Sequence, residues 1–199
     1  MTEERVVGVV VTPSMSAAAP PGVDPARFLT AAAEDTYELV AALDFVTPVL
    51  VTSVPGMEEI VWPGTPVVEI PDLSGAALVA AAFEALPYGG QAVLVSGDAP
   101  DLPPLLIGKL FRELGRARVA VCPAADGGAV AIAAHLPYPG WAAVGFDDPE
   151  PVRALRASAP APRTVATGPG WHRLRTPCDI HRLDPGLEGW DNTRALLSV

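Results

Sequence analysis

Short apolar runs alternate with amphipathic stretches along the chain, and that alternation predicts α/β layering. The first run, Arg5–Val11 (RVVGVVV), is continuous and rich in β-branched residues, as a buried strand should be. Val46–Thr52, Pro66–Ile70, Gln91–Ser96, Arg118–Pro123 and Ala129–Ala134 read as further strands, with Arg163–Thr167 and Trp171–Arg175 near the end. Asp24 followed by Pro25 predicts an N-cap and a first helical residue. That helix runs to about Leu43, with Phe28, Ala32, Thr36, Leu39 and Leu43 on one face. Asp72 caps a helix through about Leu86, and Pro103-Pro104 opens one that ends at Gly115. Asp148-Pro149 opens a short helix to about Ala157, Thr176-Pro177 opens another, and Asp191–Ser198 forms the last. A turn at Ala125–Gly128 joins two strands directly, which suits antiparallel neighbours. The expected product is a three-layer α/β/α sandwich on a mixed, mostly parallel sheet. No internal repeat or linker divides the chain, so one domain over residues 1–199 is expected.

Composition narrows the function classes. Half of the 199 residues are hydrophobic, but 33 of them are Ala, so the core is built from small side chains. The 23 prolines and 18 glycines stay below the roughly 25–30% that marks low-complexity disorder. A formal charge of −10 argues against a nucleic-acid backbone as partner. No apolar run approaches the roughly 18 residues of a membrane span. The start, Met1-Thr2-Glu3-Glu4-Arg5, is acidic and unlike a leader peptide. Cys122 and Cys178 show no metal-ligand spacing, which makes a reduced, cytoplasmic protein the expectation. The charge is also uneven: between Arg27 and Lys109 there is no Lys or Arg at all.

Candidate chemistry sits in two turns. In an open parallel sheet, ligands bind beyond the carboxyl ends of the strands, and Ser96-Gly97-Asp98 lies at such an end. A carboxylate there can hold Mg²⁺, which in turn holds phosphate oxygens. Equally, Asp98 and Asp101 suit a turn for purely conformational reasons. The second turn, Ala125-Asp126-Gly127-Gly128, carries the same pair of readings: a hairpin signal, or glycines that let a ligand approach while Asp126 accepts from its hydroxyls. His172 is a candidate acid or base near that region, with a partly buried structural histidine as the plainer reading. Trp141 and the other three tryptophans read as packing groups, and Cys178 as inert. No Gly-x-Gly-x-x-Gly, Walker loop or Gly-x-Ser-x-Gly occurs.

Taken together, the segment Val93–Ile132 (VLVSGDAPDLPPLLIGKLFRELGRARVAVCPAADGGAVAI) resembles the nucleotide-diphospho-sugar transferase (GT-A-like) superfamily, and more narrowly the bacterial glycosyltransferase-A-like family. Its pattern there is a strand, Gly-Ser-Asp-x-Pro-x-Leu, then Pro-Ala-x-Asp-Gly-Gly. Weaker likenesses extend from Arg5 to Leu183, through Asp35-Thr36, Asp147–Val152 and Thr176-Pro177-x-Asp179. The resemblance implies a GT-A/Rossmann-like fold and a nucleotide- or nucleotide-sugar-dependent transfer, glycosyl or nucleotidyl, to a small acceptor. It implies Asp98 as the metal residue for Mg²⁺ or Mn²⁺, and Asp126, Gly127 and Gly128 beside the acceptor. Thr12, Ser14, Arg27, Ser96 and Gly97 would border the nucleotide and its phosphates. It leaves a homodimer open.

Two stretches depart from the family pattern. Its first loop carries basic residues, whereas here Val23 and Pro25 stand in those places and only Arg27 matches. Its last strand ends Asp-x-Asp-Thr-Pro, whereas here the stretch is Arg173-Leu174-Arg175-Thr176-Pro177. An arginine beside Asp98 would bond it and disfavour a divalent cation. Arg173 and Arg175 would then bind phosphate directly, or merely blunt an exposed edge strand. The alternative function is a catalytically inactive family member that binds a ligand or a protein.

Overall fold

The computed structural model describes residues 4–87 and 89–198. Met1–Glu3 of the acidic start, Tyr88 and Val199 lie outside the described residues. Seven strands form one sheet: β1 (Arg5–Val11), β2 (Thr47–Thr52), β3 (Val67–Glu69), β4 (Gln91–Ser96), β5 (Val119–Pro123), β6 (Ala129–His135) and β7 (Val165–Thr167). Their order is β3-β2-β1-β4-β6-β5-β7. Every pair is parallel except those of β6, which runs antiparallel to both β4 and β5. The short Ala125–Gly128 turn accounts for the reversal between β5 and β6, because a parallel pair needs a crossover of a dozen or more residues. The sheet is therefore mixed and mostly parallel, as the pattern predicts.

Alternation along β1 separates the two faces. Val7, Val9 and Val11 pack under α1 (Pro25–Ala41) and α3 (Pro104–Leu114), against Tyr37, Val40, Ile107 and Leu110. Val6 and Val10 pack on the other side with Val79 and Phe83 of α2 (Gly75–Ala85) and Leu155 of α4 (Pro151–Ser158). Two cores on either side of one sheet give three layers. A third, small cluster of Ala18, Phe28, Leu174, Leu183 and Trp190 pins the first loop under the C-terminal segment. No described helix is long and apolar enough to cross a membrane. Both cysteines are free, and burial pushes the Cys122 thiol up to about 12, out of the range of a nucleophile.

Several local expectations are corrected. The Pro/Ala/Ser segment after β1 contains a 3₁₀ turn, Pro13–Ala18. Ser74, not Asp72, stands before α2. Residues 171–175 form no strand and meet β5's end only through a bridge between Ala124 and Trp171. The chain leaves the sheet there because the Leu174 amide bonds the Asp98 carbonyl (2.8 Å) and draws the segment over the strand ends. The stretch after Thr176-Pro177 is a 3₁₀ turn, Pro177–Arg182, closed by a capping box between Thr176 and Asp179. A final helix, α5 (Asp191–Leu197), lies on α1.

Candidate functional site

The turn after β4 is fixed by backbone and helix together. The Gly97 amide donates to the Val10 carbonyl at 2.8 Å, and Thr36 of α1 donates to the Gly97 carbonyl at 3.2 Å. A Cβ on Gly97 would come within 2.9 Å of Val11 Cγ2 and 3.0 Å of the Val10 carbonyl, so only glycine lets the turn lie this close to β1. Ser96, Gly97 and Asp98 are thereby brought together, buried at the centre of the strand-end face.

Asp98 does not face an open crevice. Arg173 Nε donates to Asp98 Oδ1 at 2.8 Å and Nη2 to Oδ2 at 2.9 Å, a bidentate pair. Ser96 Oγ adds a bond to Oδ1 at 2.7 Å. Arg173 Nη1 reaches Asp147 Oδ1 (2.8 Å) and the carbonyls of Phe146 (3.1 Å) and Ala129 (3.4 Å), and the guanidinium lies 5.7 Å from the Phe146 ring centre. Asp98 is 2% and Arg173 5% exposed. Burial works against the guanidinium charge, but Asp98 and Asp147 outweigh it and hold Arg173 protonated, above its ordinary value. The edge-strand reading of Arg173 is thus overturned: it is a buried counter-ion, and its side chain is committed to carboxylates and carbonyls.

This arrangement does not fit a metal ion on Asp98. Both oxygens already have cationic or hydroxyl donors, and a cation would have to approach with a guanidinium at bonding distance. Among the described residues no group of three or more His, Cys, Asp or Glu converges as a metal site.

Asp101, three residues on, is equally buried at 3% but differently partnered. It accepts from Trp171 Nε1 at 3.2 Å, from His172 Nε2 at 3.1 Å and from the Asp184 amide at 3.1 Å. Trp171 and His172 stack at 4.7 Å between ring centres.

The second turn is occupied by the chain itself. Gly127 and Gly128 have φ of +86° and +89°, and a Cβ on Gly128 would collide with the Phe146 carbonyl. The Ala129 amide bonds that same carbonyl at 2.7 Å. The glycines therefore admit the strap at residues 146–149. Asp126 is exposed; its carboxylate pairs with Arg182, and its carbonyl accepts from Arg175 Nη2 at 3.2 Å. Arg182 also faces Asp179 at 3.5 Å. Burial raises Asp179, but bonds from Thr176 and Arg175 and the charge of Arg182 outweigh it and leave that carboxyl below its ordinary value. Arg175, part-exposed, makes no ion pair among the described residues.

The first loop stands apart from these charges. Thr12 is buried and shares a 3.0 Å hydrogen bond with the exposed Ser14. Arg27 belongs to the first turn of α1, its amide capped by Asp24 at 2.9 Å, and its side chain is exposed. Asp35 of the Asp-Thr pair is fully buried and takes the amides of Asn192 (3.0 Å) and Thr193 (2.7 Å) and the Asn192 side chain (3.0 Å), so it secures the start of α5. Burial raises its carboxyl above the ordinary value despite those bonds.

Solved structures carry the same architecture. A candidate nucleotide-diphospho-sugar transferase from Desulfovibrio desulfuricans G20 matches with a TM-score of 0.69 and 18% identity, over 99% of this chain and 98% of that one. The likeness is one of fold. CMP:2-keto-3-deoxy-manno-octonic acid synthetase, solved with CTP, shares this fold at a TM-score of 0.52 and 14% identity, with 98% of each chain covered. Rv0371c of Mycobacterium tuberculosis H37Rv, solved with manganese, shares it at 0.53 and 18% identity, with 99% of each covered. Over residues 72–157 the chain matches a family model described as "Uncharacterized protein conserved in bacteria (DUF2064)". None of the curated proteins matches it by sequence.

Sequence reasoning singled out Asp98, Asp126 and the two arginines, but missed that Trp171, His172 and Asp101 form one unit and that Asp35 holds α5. A buried-position pattern cannot reveal a pairing between residues 70 positions apart. The signal that was present is the loss of both expected carboxylates at positions 173 and 175.

Proposed function

We propose that the chain is a nucleotide- or nucleotide-sugar-dependent transferase-like protein, passing a glycosyl or nucleotidyl group to a small acceptor, with no metal ion on Asp98. The observation that carries the reading is the Ser96-Gly97-Asp98 turn at the end of central β4, on a fold shared with a candidate nucleotide-diphospho-sugar transferase and a CTP-bound synthetase. Phosphate recognition in this reading falls to the part-exposed Arg175, because the Gly97 amide and the Ser96 hydroxyl of the strand-end turn are already bonded to Val10 and Asp98. Manganese in Rv0371c belongs to that protein; here Arg173 stands against Asp98 instead.

Titration calorimetry with ATP, CTP, GTP, UDP-glucose and GDP-mannose tests the reading, each run with Mg²⁺ or Mn²⁺ and with chelator. At least one nucleotide binds with the same affinity in all three conditions, and Arg175→Ala weakens it about tenfold or more. Absence of binding by every nucleotide overturns the reading. A second reading, a non-catalytic ligand-binding member of the fold, is favoured by the charge balance: Arg173 faces two carboxylates, so the cluster offers no net positive charge to a leaving phosphate. Nucleotide binding without release of pyrophosphate or nucleoside diphosphate, across a panel of acceptors, selects this second reading.

A further inference from the structure

Asp101 is a buried carboxylate that the reading above leaves without a task. Turn geometry alone does not require it to be buried, since an aspartate suits such a turn with its carboxylate in water. Burying a carboxylate is costly unless donors surround it. Three do so here, and the two from side chains, Trp171 and His172, belong to residues that line one cavity. The cavity has a volume of about 420 Å³ and is bounded by Pro123, Ala124, Ala125, Trp171, His172 and Arg182. Its aromatic wall is rigid: the two rings are stacked, 27° from parallel, and each is tied to the same carboxylate.

The bond to Asp101 also selects a tautomer. With Nε2–H donating to the carboxylate, Nδ1 is the ring nitrogen left for another partner. Arg182 adds donors, but its charge is balanced by Asp126 and Asp179. The cavity therefore combines an aromatic face, an imidazole nitrogen and donors whose charge is already paired. That combination suits a neutral molecule with several hydroxyls better than an anion, which would need a cation without a carboxylate partner.

We propose that this cavity binds a small, neutral, polyhydroxylated molecule, with His172 accepting from one of its hydroxyls and Asp101 positioning His172 and Trp171. Only the naming of that molecule as the acceptor rests on the transferase-like reading; the binding itself does not.

Ligand-observed saturation-transfer NMR with myo-inositol, D-glucose, glycerol and D-glucose 6-phosphate tests the site, with CTP titrated separately. At least one neutral polyol binds, and His172→Ala weakens it about tenfold or more. CTP affinity is the same in the variant. Ala125→Trp fills the cavity from its exposed rim without touching Asp101, and abolishes polyol binding even if His172→Ala proves unstable. Failure of every neutral polyol, binding of glucose 6-phosphate alone, or polyol binding that survives Ala125→Trp overturns the proposal. If no nucleotide binds while polyol binding persists and depends on position 125, the transferase-like reading falls and this site stands.

Discussion

Asp98 and Asp101 lie on one turn, carry the same side chain and are buried to the same degree, yet they do opposite things. A guanidinium bonds both oxygens of Asp98, and the result is a closed ion pair. Asp101 is surrounded by an indole, an imidazole and an amide, none of which is bound to a second carboxylate among the described residues. It thereby holds two ring side chains at the edge of a cavity. The lesson is that burial and position do not set what a strand-end carboxylate can do. The number and shape of its donors do: one bidentate guanidinium occupies the carboxylate, whereas three separate donors make it an organiser of the groups that bring them.

Four experiments try to break this contrast. The largest effect belongs to Arg173→Ala, which leaves Asp98 charged and buried without its partner; urea unfolding should show a loss of about 3–5 kcal/mol. The double variant Asp98→Asn/Arg173→Met should lose clearly less than the two single changes added together. A loss under about 1 kcal/mol for Arg173→Ala would mean that the pair is not the closed unit described. Next comes Asp101→Asn, which keeps the shape but sets an amide against donors; about 1–3 kcal/mol is lost. Nitrogen-15 NMR of His172 should show the imidazole leaving its single tautomer, a change that Arg173→Ala does not produce. Ser96→Ala removes one donor of three from Asp98 and should cost about 1 kcal/mol, since the guanidinium remains.

The smallest effect is in the pH dependence of two other carboxylates. Asp179 lies below its ordinary value of 3.8, so its contribution is complete above that pH and is lost as the pH falls through its lowered value. Asp35 lies above 3.8, so its contribution is largest in acid and declines as the pH rises through its raised value. Stability measured from pH 2 to 7 should lose part of its acid limb in Asp179→Ala, and Asp35→Asn should soften the decline on the other side.

The sheet was legible from the chain because its strands are continuous apolar runs and its helices carry their own starts, as at Asp24-Pro25. The antiparallel β5–β6 pair followed from one short turn. Residues 171–182 were misread because two different periodicities fit a stretch so short, and because what fixes it is tertiary: the Leu174 amide on Asp98, and Asp179 closing its own capping box. Ala18 of the first loop and Phe28 of α1 close an apolar cluster with Leu174 and Trp190 that no local pattern announces. The site was half legible. The missing carboxylates at positions 173 and 175 pointed away from a two-carboxylate metal site, but only the fold shows that Arg173 turns inward while Arg175 does not. Asp101 read as a turn former because its partners are 70 and more positions away.

The central claim is that Arg173 occupies Asp98 in place of a metal ion. Electron paramagnetic resonance titration of Mn²⁺ into the wild-type chain, beside Asp98→Asn, tests it most directly. Both proteins should give the same weak binding curve, with no site lost in the variant. A stoichiometric Mn²⁺ site in the wild type that disappears in Asp98→Asn would contradict it.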